Sequence, residues 1–315
     1  MSSKIQLMVE VSKMYYNYGM SQKEIATQLG VSRGYVSQIM EQARKMGVVE
    51  IKINNLLEDE TELERHIMEL FGLEKASIVS KQHMKDEQHL TSEIVREACN
   101  YIESIIKSDM TIAYTWGSTV YEISTKMRKR IDITNVTSIQ LCGGTTNLEK
   151  KIYVAEISSN IASAYNGTPL FIPLPVLVQS ADIKKAIYSD SNMSSILNMS
   201  KDADIALFTV GSFGEENILY RGGYIDNESL QRLIQKDAVG DLCAHFINQY
   251  GEVCDQELDE RTISIDLDSL AKIKKKVCVA TGPNKVKALL GVLRKKYVDV
   301  LITDEETAQS ILKMN

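Results

Sequence analysis

From residue 76 onward, short apolar runs alternate with stretches of helical periodicity, and this alternation limits the possible folds more than any other feature. The runs have the sequences ASIVS, TIAYTW, VTSIQL, PLFIPL, DIALFTV, KVCVAT and DVLIT. Between them lie helical stretches such as residues 92–106, in which Ile94, Ala98 and Ile102 fall on one face. Strands that alternate with helices form mostly parallel sheets with helices on both faces. The pattern therefore predicts a large, doubly wound α/β domain over residues 76–315.

The remaining length leaves room for a second domain, because 315 residues correspond to about two domains of average size. The 44% hydrophobic and 25% charged residues are ordinary for a globular protein and exclude global disorder. No apolar run approaches the roughly 18 residues of a transmembrane helix. The five cysteines show no CxxC motif and no zinc-ligand spacing. We therefore expect a reduced, cytoplasmic protein without a membrane segment or a metal site.

Residues 1–54 have the pattern of a helix-turn-helix domain with a small wing. Ser21 and Glu24 form an S-x-x-E capping box at the start of one helix, and Gly30 ends that helix. Ser32 then caps a second helix. Residues 48–53, VVEIKI, alternate apolar and charged residues as a short strand does. The net charge of these 54 residues is +3, whereas that of the rest is −9, so a polyanion would meet only the N-terminal domain.

Short polar and basic residues open the second helix of this motif, where recognition helices face bases and phosphates. The predicted DNA contacts are Ser21, Gln22, Ser32, Arg33, Gly34, Tyr35, Ser37 and Gln38. The same packing of helices also occurs in domains that bind only proteins, which is the alternative interpretation. Double-stranded DNA is the partner that the sequence favours.

Residues 55–75 contain a further capping box, at Thr61 and Glu64, followed by a helical pattern that ends at Gly72. We predict a linker helix here, which joins the two domains or packs against a second subunit.

Several strands of the predicted sheet end in glycine- and hydroxyl-rich loops. Such loops at the carboxyl ends of parallel strands form the ligand crevice of open α/β sheets. Glycine lets the backbone approach a ligand, and helix-start N–H groups suit a phosphate or a polyol. The loops in question contain Gly117, Ser118, Thr119, Gly143, Gly144, Thr145, Thr146, Gly211, Ser212 and Lys285. Neither a dinucleotide fingerprint nor a P-loop follows a strand, so no nucleotide cofactor is expected.

Lys285 is the predicted phosphate anchor among these loop residues. It follows the strand KVCVAT and the turn residues Gly282 to Asn284, which places it in the first turn of a helix. A lysine is unfavourable at that end of a helix dipole, and a bound anion would compensate for it.

Residues 236–251, KDAVGDLCAHFINQYG, are predicted to be helical. In a helix, Asp241 and His245 lie four residues apart on one face, where they could act as an acid–base pair. The alternative is that His245 is a half-buried helix residue and that Asp241 is a carboxylate that binds ligand hydroxyl groups or lies at a helix start. The sequence favours this second interpretation for His245 and leaves the role of Asp241 open.

The whole chain resembles the SorC family of bacterial sugar-responsive transcription regulators. The resemblance rests on residues 15–53 and, further along the chain, on TWGSTVYEI, LCGGTTN, ADIALFTVGS, DAVGDLCAHFINQYGEV, ATGPNKVKALLGVL and VLITDEETAQSIL. Within the family it is most similar to the deoxyribonucleoside-regulator branch.

The resemblance implies a large domain related to sugar-phosphate isomerases and deaminases, which binds an effector sugar or sugar phosphate. It also implies dimers that assemble into tetramers. The effector contacts that it implies are Gly117, Ser118, Thr119, Gly143, Gly144, Thr145, Thr146, Asp241 and Lys285. Cys142 stands immediately before the paired glycines, and its thiol cannot form the Schiff base that a lysine there would form with an aldehyde sugar.

Two functions from different classes follow from these patterns. The first is a DNA-binding regulator, a repressor or an activator, of a carbohydrate-uptake or catabolic operon under the control of a sugar or sugar-phosphate effector. The second is a sugar-phosphate isomerase or deaminase with a DNA-binding appendage, which would need Asp241 and His245 as its acid–base pair.

Overall fold

The computed structural model describes residues 2–49, 61–82, 84, 86–144 and 153–315. The chain divides into two compact units, residues 1–59 and residues 60–315, called here the small unit and the large unit.

The small unit is a bundle of helices with its own apolar core. Helix α1 (Ser2–Ser12) continues into a π-helical turn (Lys13–Asn17) and is followed by α2 (Gln22–Leu29) and α3 (Arg33–Lys45). One core holds the three helices together, and it consists of Met8, Val11, Met14, Ile25, Ala26, Val36, Ile39, Met40 and Ala43. Of the predicted wing, Val48 and Val49 form a bend, and residues 50–53 lie outside the described part of the chain.

The large unit contains a seven-stranded, fully parallel sheet formed by β1 (Lys75–Val79), β2 (Thr111–Tyr114), β3 (Thr137–Gln140), β4 (Thr168–Pro169), β5 (Ile205–Phe208), β9 (Lys275–Val279) and β10 (Val300–Asp304). The strand order in this sheet is β1-β10-β9-β5-β2-β3-β4. A smaller antiparallel sheet consists of β6 (Val210–Ser212), β7 (Gly240–Leu242) and β8 (His245–Ile247). The mostly parallel α/β fold is thus confirmed.

Helices cover both faces of the large sheet. The helices of the large unit are α4 (Glu62–Phe71), α5 (Glu87–Ile105), α6 (Ser118–Lys126), α7 (Val154–Ala164), α8 (Ala181–Ser189), α9 (Ser191–Lys201), α10 (Ile218–Arg221), α11 (Asn227–Gln235), α12 (Gln256–Asp259), α13 (Leu267–Lys272), α14 (Val286–Arg294) and α15 (Glu305–Met314). Successive residues of the central strands enter two different cores, as Ile205 and Ala206 of β5 do. Since side chains alternate along a strand, the two cores lie on opposite faces of the sheet.

The order of the strands creates a crevice near the middle of the sheet. The chain leaves β2 through α6 towards β3, but it leaves β9 through α14 in the opposite direction, towards β10. α6 packs in one core and α14 in the other. Ligands of open α/β sheets bind beyond the carboxyl ends of the strands at such a switch point.

Three parts of the large unit differ from the sequence-based predictions. The predicted linker helix belongs, over residues 62–71, to the large unit, because Ile67 and Phe71 are buried in one of its cores. The predicted strand over residues 169–174 is reduced to Thr168–Pro169. Residues 240–247 form a β-hairpin instead of a helix, because Cys243 and Ala244 adopt positive φ angles of 50° and 68° and reverse the chain.

Candidate functional site

The first candidate site is the helix-turn-helix of the small unit. The Oγ of Ser21 accepts the N–H of Glu24 at 3.3 Å, and the carboxylate of Glu24 accepts the N–H of Ser21 at 2.8 Å. Gly30 ends α2 in the left-handed conformation, with a φ of 66°, and the Oγ of Ser32 accepts the N–H of Tyr35 at 3.2 Å. The capping interactions predicted for both helices are therefore present, and they fix α3 against α2 through a turn of three residues.

The first turns of α3 present their polar residues to solvent. Arg33, Gly34, Tyr35, Ser37 and Gln38 are exposed. Ser21 and Ser32 are also exposed, at the helix starts, whereas Gln22 is half-buried. The opposite side of α3 enters the core of the small unit. An exposed polar face at the N-terminal end of a helix has the form of a DNA-reading surface.

The second candidate site is a cavity of about 510 Å³ in the large unit, called here the effector cavity. It lies beyond the carboxyl ends of β2 and β5, at the switch point of the sheet. Its lining residues are Thr115, Trp116, Gly117, Ser118, Thr119, Cys142, Thr209, Val210, Gly211, Ser212, Glu216, Ile218, Arg221, Asp241, Cys243, Ala244 and Lys285. Small-molecule sites in proteins have volumes of about 300–1,000 Å³.

Gly117 begins α6 at one wall of the effector cavity. Its φ of 132° is accessible mainly to glycine, and no side chain caps the helix. The N–H groups of Ser118 and Thr119 belong to the first turn, where backbone donors have no partner within the helix. This wall therefore offers backbone N–H donors, two hydroxyl groups and the positive end of a helix dipole to a ligand.

Asp241 lies on β7 and is buried at the base of the effector cavity. Its Oδ1 accepts the side-chain N–H of Asn217 at 2.8 Å, and its Oδ2 accepts the backbone N–H of Ala244 at 3.2 Å. Gly211 faces it on β6, and a Cβ atom at this glycine would lie 1.8 Å from Oδ1. Burial raises the pKa of Asp241, although its hydrogen bonds and the charge of Lys285 oppose this shift. A carboxylate held in this way still has lone pairs for the hydroxyl groups of a ligand.

Lys285 directs its side chain into the effector cavity. It ends a short 3₁₀ turn (Pro283–Lys285) immediately before α14, and its Nζ donates to the Oγ1 of Thr209 at 3.0 Å. Burial lowers the pKa of Lys285, while the charge of Asp241 opposes this shift. The position at a helix start agrees with the sequence-based prediction, but the inward path of the side chain depends on packing between distant segments.

Gly143 and Gly144 do not belong to the lining of the effector cavity. A Cβ at Gly143 would lie 2.5 Å from the carbonyl oxygen of Pro175, and one at Gly144 would lie 2.8 Å from the Nε1 of Trp116. Close packing thus accounts for both glycines. Thr145 and Thr146, predicted with them, lie outside the described residues.

Two cysteines line the effector cavity with buried side chains, Cys142 and Cys243. Burial raises the pKa of both thiols well above the ordinary value. Both are therefore protonated near neutral pH and act as small apolar groups against a ligand.

Two charged residues at the effector cavity, Glu216 and Arg221, were not predicted from the sequence. They lie just before and at the end of α10, and their charged groups are 3.7 Å apart. Their position depends on how the segment after β6 folds over the strand ends, which no local motif predicts.

The structure does not form the acid–base pair that was the less favoured interpretation of Asp241 and His245. Asp241 pairs with Phe246 across the hairpin, whereas Leu242 pairs with His245. Because cross-strand partners share a face, Asp241 and His245 lie on opposite faces of the small sheet. Of the two, only Asp241 reaches the effector cavity.

Within the part of the chain that the structure describes, no three metal-ligating side chains come together in a way that could hold a metal ion. The same residues include no helix that is long and apolar enough to span a membrane.

Comparison with known families gives two matches that coincide with the two units. Residues 56–313 match the family described as "Putative sugar-binding domain", and residues 10–46 match the family described as "Sigma-70, region 4".

Individual proteins match over nearly the whole chain. The deoxyribonucleoside regulator of Bacillus subtilis is 34% identical over 98% of both chains, and the sorbitol operon regulator of Klebsiella pneumoniae is 25% identical over 99% of both. The crystal structure of the latter, full-length regulator superimposes with a TM-score of 0.78 and covers 98% of each chain at 24% identity. A transcriptional regulator from Streptococcus pneumoniae superimposes with a TM-score of 0.76, at 25% identity, over 80% of this chain and 96% of its own.

Proposed function

The chain belongs to the SorC family of transcriptional regulators with a sugar-binding domain, and on this premise we propose that a phosphorylated sugar in the effector cavity controls operator binding by α3. The observation that carries this proposal is the effector cavity itself. It combines a buried carboxylate, which suits sugar hydroxyl groups, with a helix start and a lysine, which suit a phosphate. The regulated genes would form a carbohydrate-uptake or catabolic operon. The regulator itself would act in the cytoplasm.

The small unit supplies the DNA-reading surface in this proposal. The exposed face of α3 with Arg33, Ser37 and Gln38 enters the major groove, while Ser21, Gln22 and Ser32 lie at the helix starts that approach the phosphates. One recognition helix reads only a few base pairs. A homo-oligomer, a dimer or a tetramer, would present at least two such helices to a pseudo-palindromic operator.

The large unit supplies the effector site. Asp241 accepts hydrogen bonds from sugar hydroxyl groups, because Asn217 and Ala244 hold its carboxylate in place without using all of its lone pairs. The phosphate lies between the N-terminus of α6 and the Nζ of Lys285, where backbone donors and a positive charge converge. The volume of about 510 Å³ accommodates a phosphorylated pentose or hexose.

Control of DNA binding requires two states of the assembly that differ in effector affinity. A ligand shifts such an equilibrium only by the ratio of its affinities for the two states. The effector therefore acts through contacts in the cavity that are complete in one state and incomplete in the other.

The enzymatic alternative is not supported. The named relatives are transcriptional regulators, and the acid–base pair that this alternative required is divided between the two faces of the small sheet. We therefore assign the effector cavity to ligand sensing rather than to turnover.

A thermal-shift screen of pentose and hexose phosphates tests the proposal. A ligand present at 100 times its dissociation constant adds about 2.7 kcal/mol to the free energy of unfolding. The matched controls are the unphosphorylated sugars and inorganic phosphate. Stabilising ligands are then added to a complex with DNA from upstream of the protein's own gene, and fluorescence anisotropy reports the change in affinity. A screen without any stabilising sugar phosphate would refute the proposed effector class.

A further inference from the structure

The paired glycines after β3, Gly143 and Gly144, have no backbone donor left for a ligand. The N–H of Gly143 donates to the carbonyl oxygen of Ile263 at 2.9 Å, and the N–H of Gly144 donates to that of Leu174, also at 2.9 Å. Both glycines are buried. A backbone N–H that already has a partner inside the protein is not available to an effector. Two glycines in this loop therefore need an explanation other than direct contact with the effector.

The side chain of Trp116 provides this explanation. Its Nε1 donates to the carbonyl oxygen of Gly143 at 2.9 Å. A Cβ atom at Gly144 would lie 2.8 Å from Nε1 and 3.0 Å from Cδ1 of the same indole, so a larger residue would displace the ring. The two glycines thus hold the nitrogen-bearing edge of the indole, one by a hydrogen bond and the other by close packing.

Trp116 lies at the end of β2 and belongs to the lining of the effector cavity. It is 7% exposed, about as much as Asp241 at the base of the cavity, which is 8% exposed. The N–H group is the only hydrogen-bonding group of a tryptophan side chain, and Gly143 already accepts it. Trp116 therefore offers the effector only the carbon atoms of its aromatic ring.

A sugar in its cyclic form has a surface that suits such a group. Its C–H groups gather on the faces of the ring, whereas an open-chain sugar turns about each C–C bond and has no fixed apolar face. Among the described lining residues of the effector cavity, Trp116 is the only aromatic one. Aromatic side chains beside a few placed polar groups are typical of small-molecule sites. Asp241 and the start of α6 would take the polar groups of the sugar phosphate, and Trp116 its C–H groups.

We propose that the indole of Trp116 contacts the ring of the effector through C–H groups, and that Gly143 and Gly144 are positioning residues for the indole. The effector cavity then selects the cyclic form of a sugar phosphate over an open chain. This inference rests on the proposed function, because it concerns the form in which a sugar phosphate binds.

Two pairs of ligands compare a ring with a chain. The ring phosphates, 1,4-anhydro-D-ribitol 5-phosphate and 1,5-anhydro-D-glucitol 6-phosphate, cannot open, whereas the chain phosphates, D-ribitol 5-phosphate and D-glucitol 6-phosphate, cannot close. The pair used is the pentose or the hexose pair, according to which class of sugar phosphate stabilises the protein more in the thermal-shift screen. Calorimetry of the wild type should show binding of the ring that is at least about tenfold tighter. Equal binding, or tighter binding of the chain, would overturn the proposal.

NMR of the wild type tests the contact itself. Trp116 is the only tryptophan of the chain, so in deuterated protein with protonated tryptophan every indole signal comes from this residue. Nuclear Overhauser effects between the indole protons and the C–H protons of the bound ring phosphate are expected. A bound ring phosphate without them would overturn the proposal, and this result does not depend on the folding of any variant.

Two variants of Trp116 separate contact from a merely structural role. Trp116→Leu should weaken binding of the ring phosphate by about tenfold and that of the chain phosphate by less than about threefold, whereas a structural role would weaken both alike. Trp116→Phe keeps an aromatic ring but leaves the carbonyl of Gly143 unpaired. It should lower the unfolding temperature and keep the preference for the ring within about threefold of wild type. An unchanged preference in Trp116→Leu, or its loss in Trp116→Phe, would contradict the proposal.

Gly144→Ala tests the positioning role, because the added Cβ displaces the indole. Its preference for the ring phosphate should fall by about tenfold, as in Trp116→Leu. Tyr188→Leu is the matched control. The hydroxyl of Tyr188 also donates to a backbone carbonyl, that of Ser264 at 2.9 Å, but Tyr188 is not among the described lining residues of the effector cavity. This control should keep the wild-type ratio of the two affinities. A wild-type ratio in Gly144→Ala would refute the role of Gly144.

Failure of this inference is distinguishable from failure of the proposed function. If no sugar phosphate of the screen binds, the proposed function fails and this inference falls with it. If sugar phosphates bind but the ring phosphate shows neither a preference that depends on Trp116 nor contacts with the indole protons, the proposed function stands and only the assignment of Trp116 is refuted.

Discussion

The residues that we assign to DNA lie on the outside of one helix of the small unit, whereas those that we assign to the effector line a cavity in the large unit. On α3, the exposed residues that we assign to DNA lie within a few positions of one another. The lining of the effector cavity instead extends from Thr115 to Lys285, across both sheets. In the small unit, the residues that form the core differ from the exposed residues of α3 that we assign to DNA. In the large unit Gly211, Asp241 and Lys285 line the effector cavity and are also packed against other residues, so we expect that substitutions there change binding and packing together.

Separation of the two units should produce the largest effect. A chain of residues 55–315 should fold, bind a sugar phosphate and remain oligomeric, because both cores of the sheet lie within the large unit. Operator binding should be abolished. Thermal unfolding, sedimentation at micromolar concentration and fluorescence anisotropy check the three parts. If this chain sediments as a monomer, or if it no longer binds the effector, the large unit needs the small unit for assembly or for binding. That result would contradict the independence that the separate cores of the two units indicate.

Gly211→Ala should have the next largest effect, because the added Cβ would lie 1.8 Å from the Oδ1 of Asp241 and displace the carboxylate. Sugar-phosphate affinity should fall by about a hundredfold, the scale of an overpacked site. The control is Gly34→Ala in the small unit, where the nearest atom to the new Cβ, the Oγ of Ser32, is 4.0 Å away. Calorimetry should show unchanged effector binding for the control. Equal affinities for the two variants would mean that Asp241 does not contact the effector.

Lys285→Ala should weaken sugar-phosphate binding by about 1.5–3 kcal/mol, the scale of a charge-assisted hydrogen bond. The affinity for the unphosphorylated sugar should hardly change. Lys287→Ala is a matched control, since Lys287 is an exposed lysine on the same helix, α14. Calorimetry with both ligands measures the two losses of affinity. Equal losses for the phosphorylated and the unphosphorylated sugar would show that Lys285 does not bind the phosphate.

Arg33→Ala and Gln38→Ala should each weaken operator binding by about 1–3 kcal/mol, the scale of a base or phosphate contact. Effector binding and thermal stability should stay the same, because both side chains are exposed. Gln28→Ala, at an exposed glutamine on α2, is the control for Gln38. Gel-shift titration that shows wild-type affinity for both variants would disprove the assignment of this face of α3 to DNA.

Prediction from sequence succeeded where the determinants are local. The capping box of Ser21 and Glu24, the turn at Gly30 and the cap at Ser32 each depend on residues at most four positions apart. The parallel sheet was also predictable, since buried strands and amphipathic helices alternate along the chain. The helix predicted over residues 236–251 is wrong, because the positive φ angles of Cys243 and Ala244 are held by tertiary contacts and no glycine signals them.

The sequence by itself determined the two kinds of domain and the helix starts, because hydrophobic periodicity and capping act over a few residues. Only the tertiary structure decided which loop residues share a cavity. It buries Gly143 and Gly144 against Pro175 and Trp116, brings Arg221 to the effector cavity and turns Asp241 and His245 to opposite faces. The physical reason is that these placements depend on strand order and on close packing between segments that are distant in the sequence. Thr115, Asp241 and Lys285, for example, all line the effector cavity.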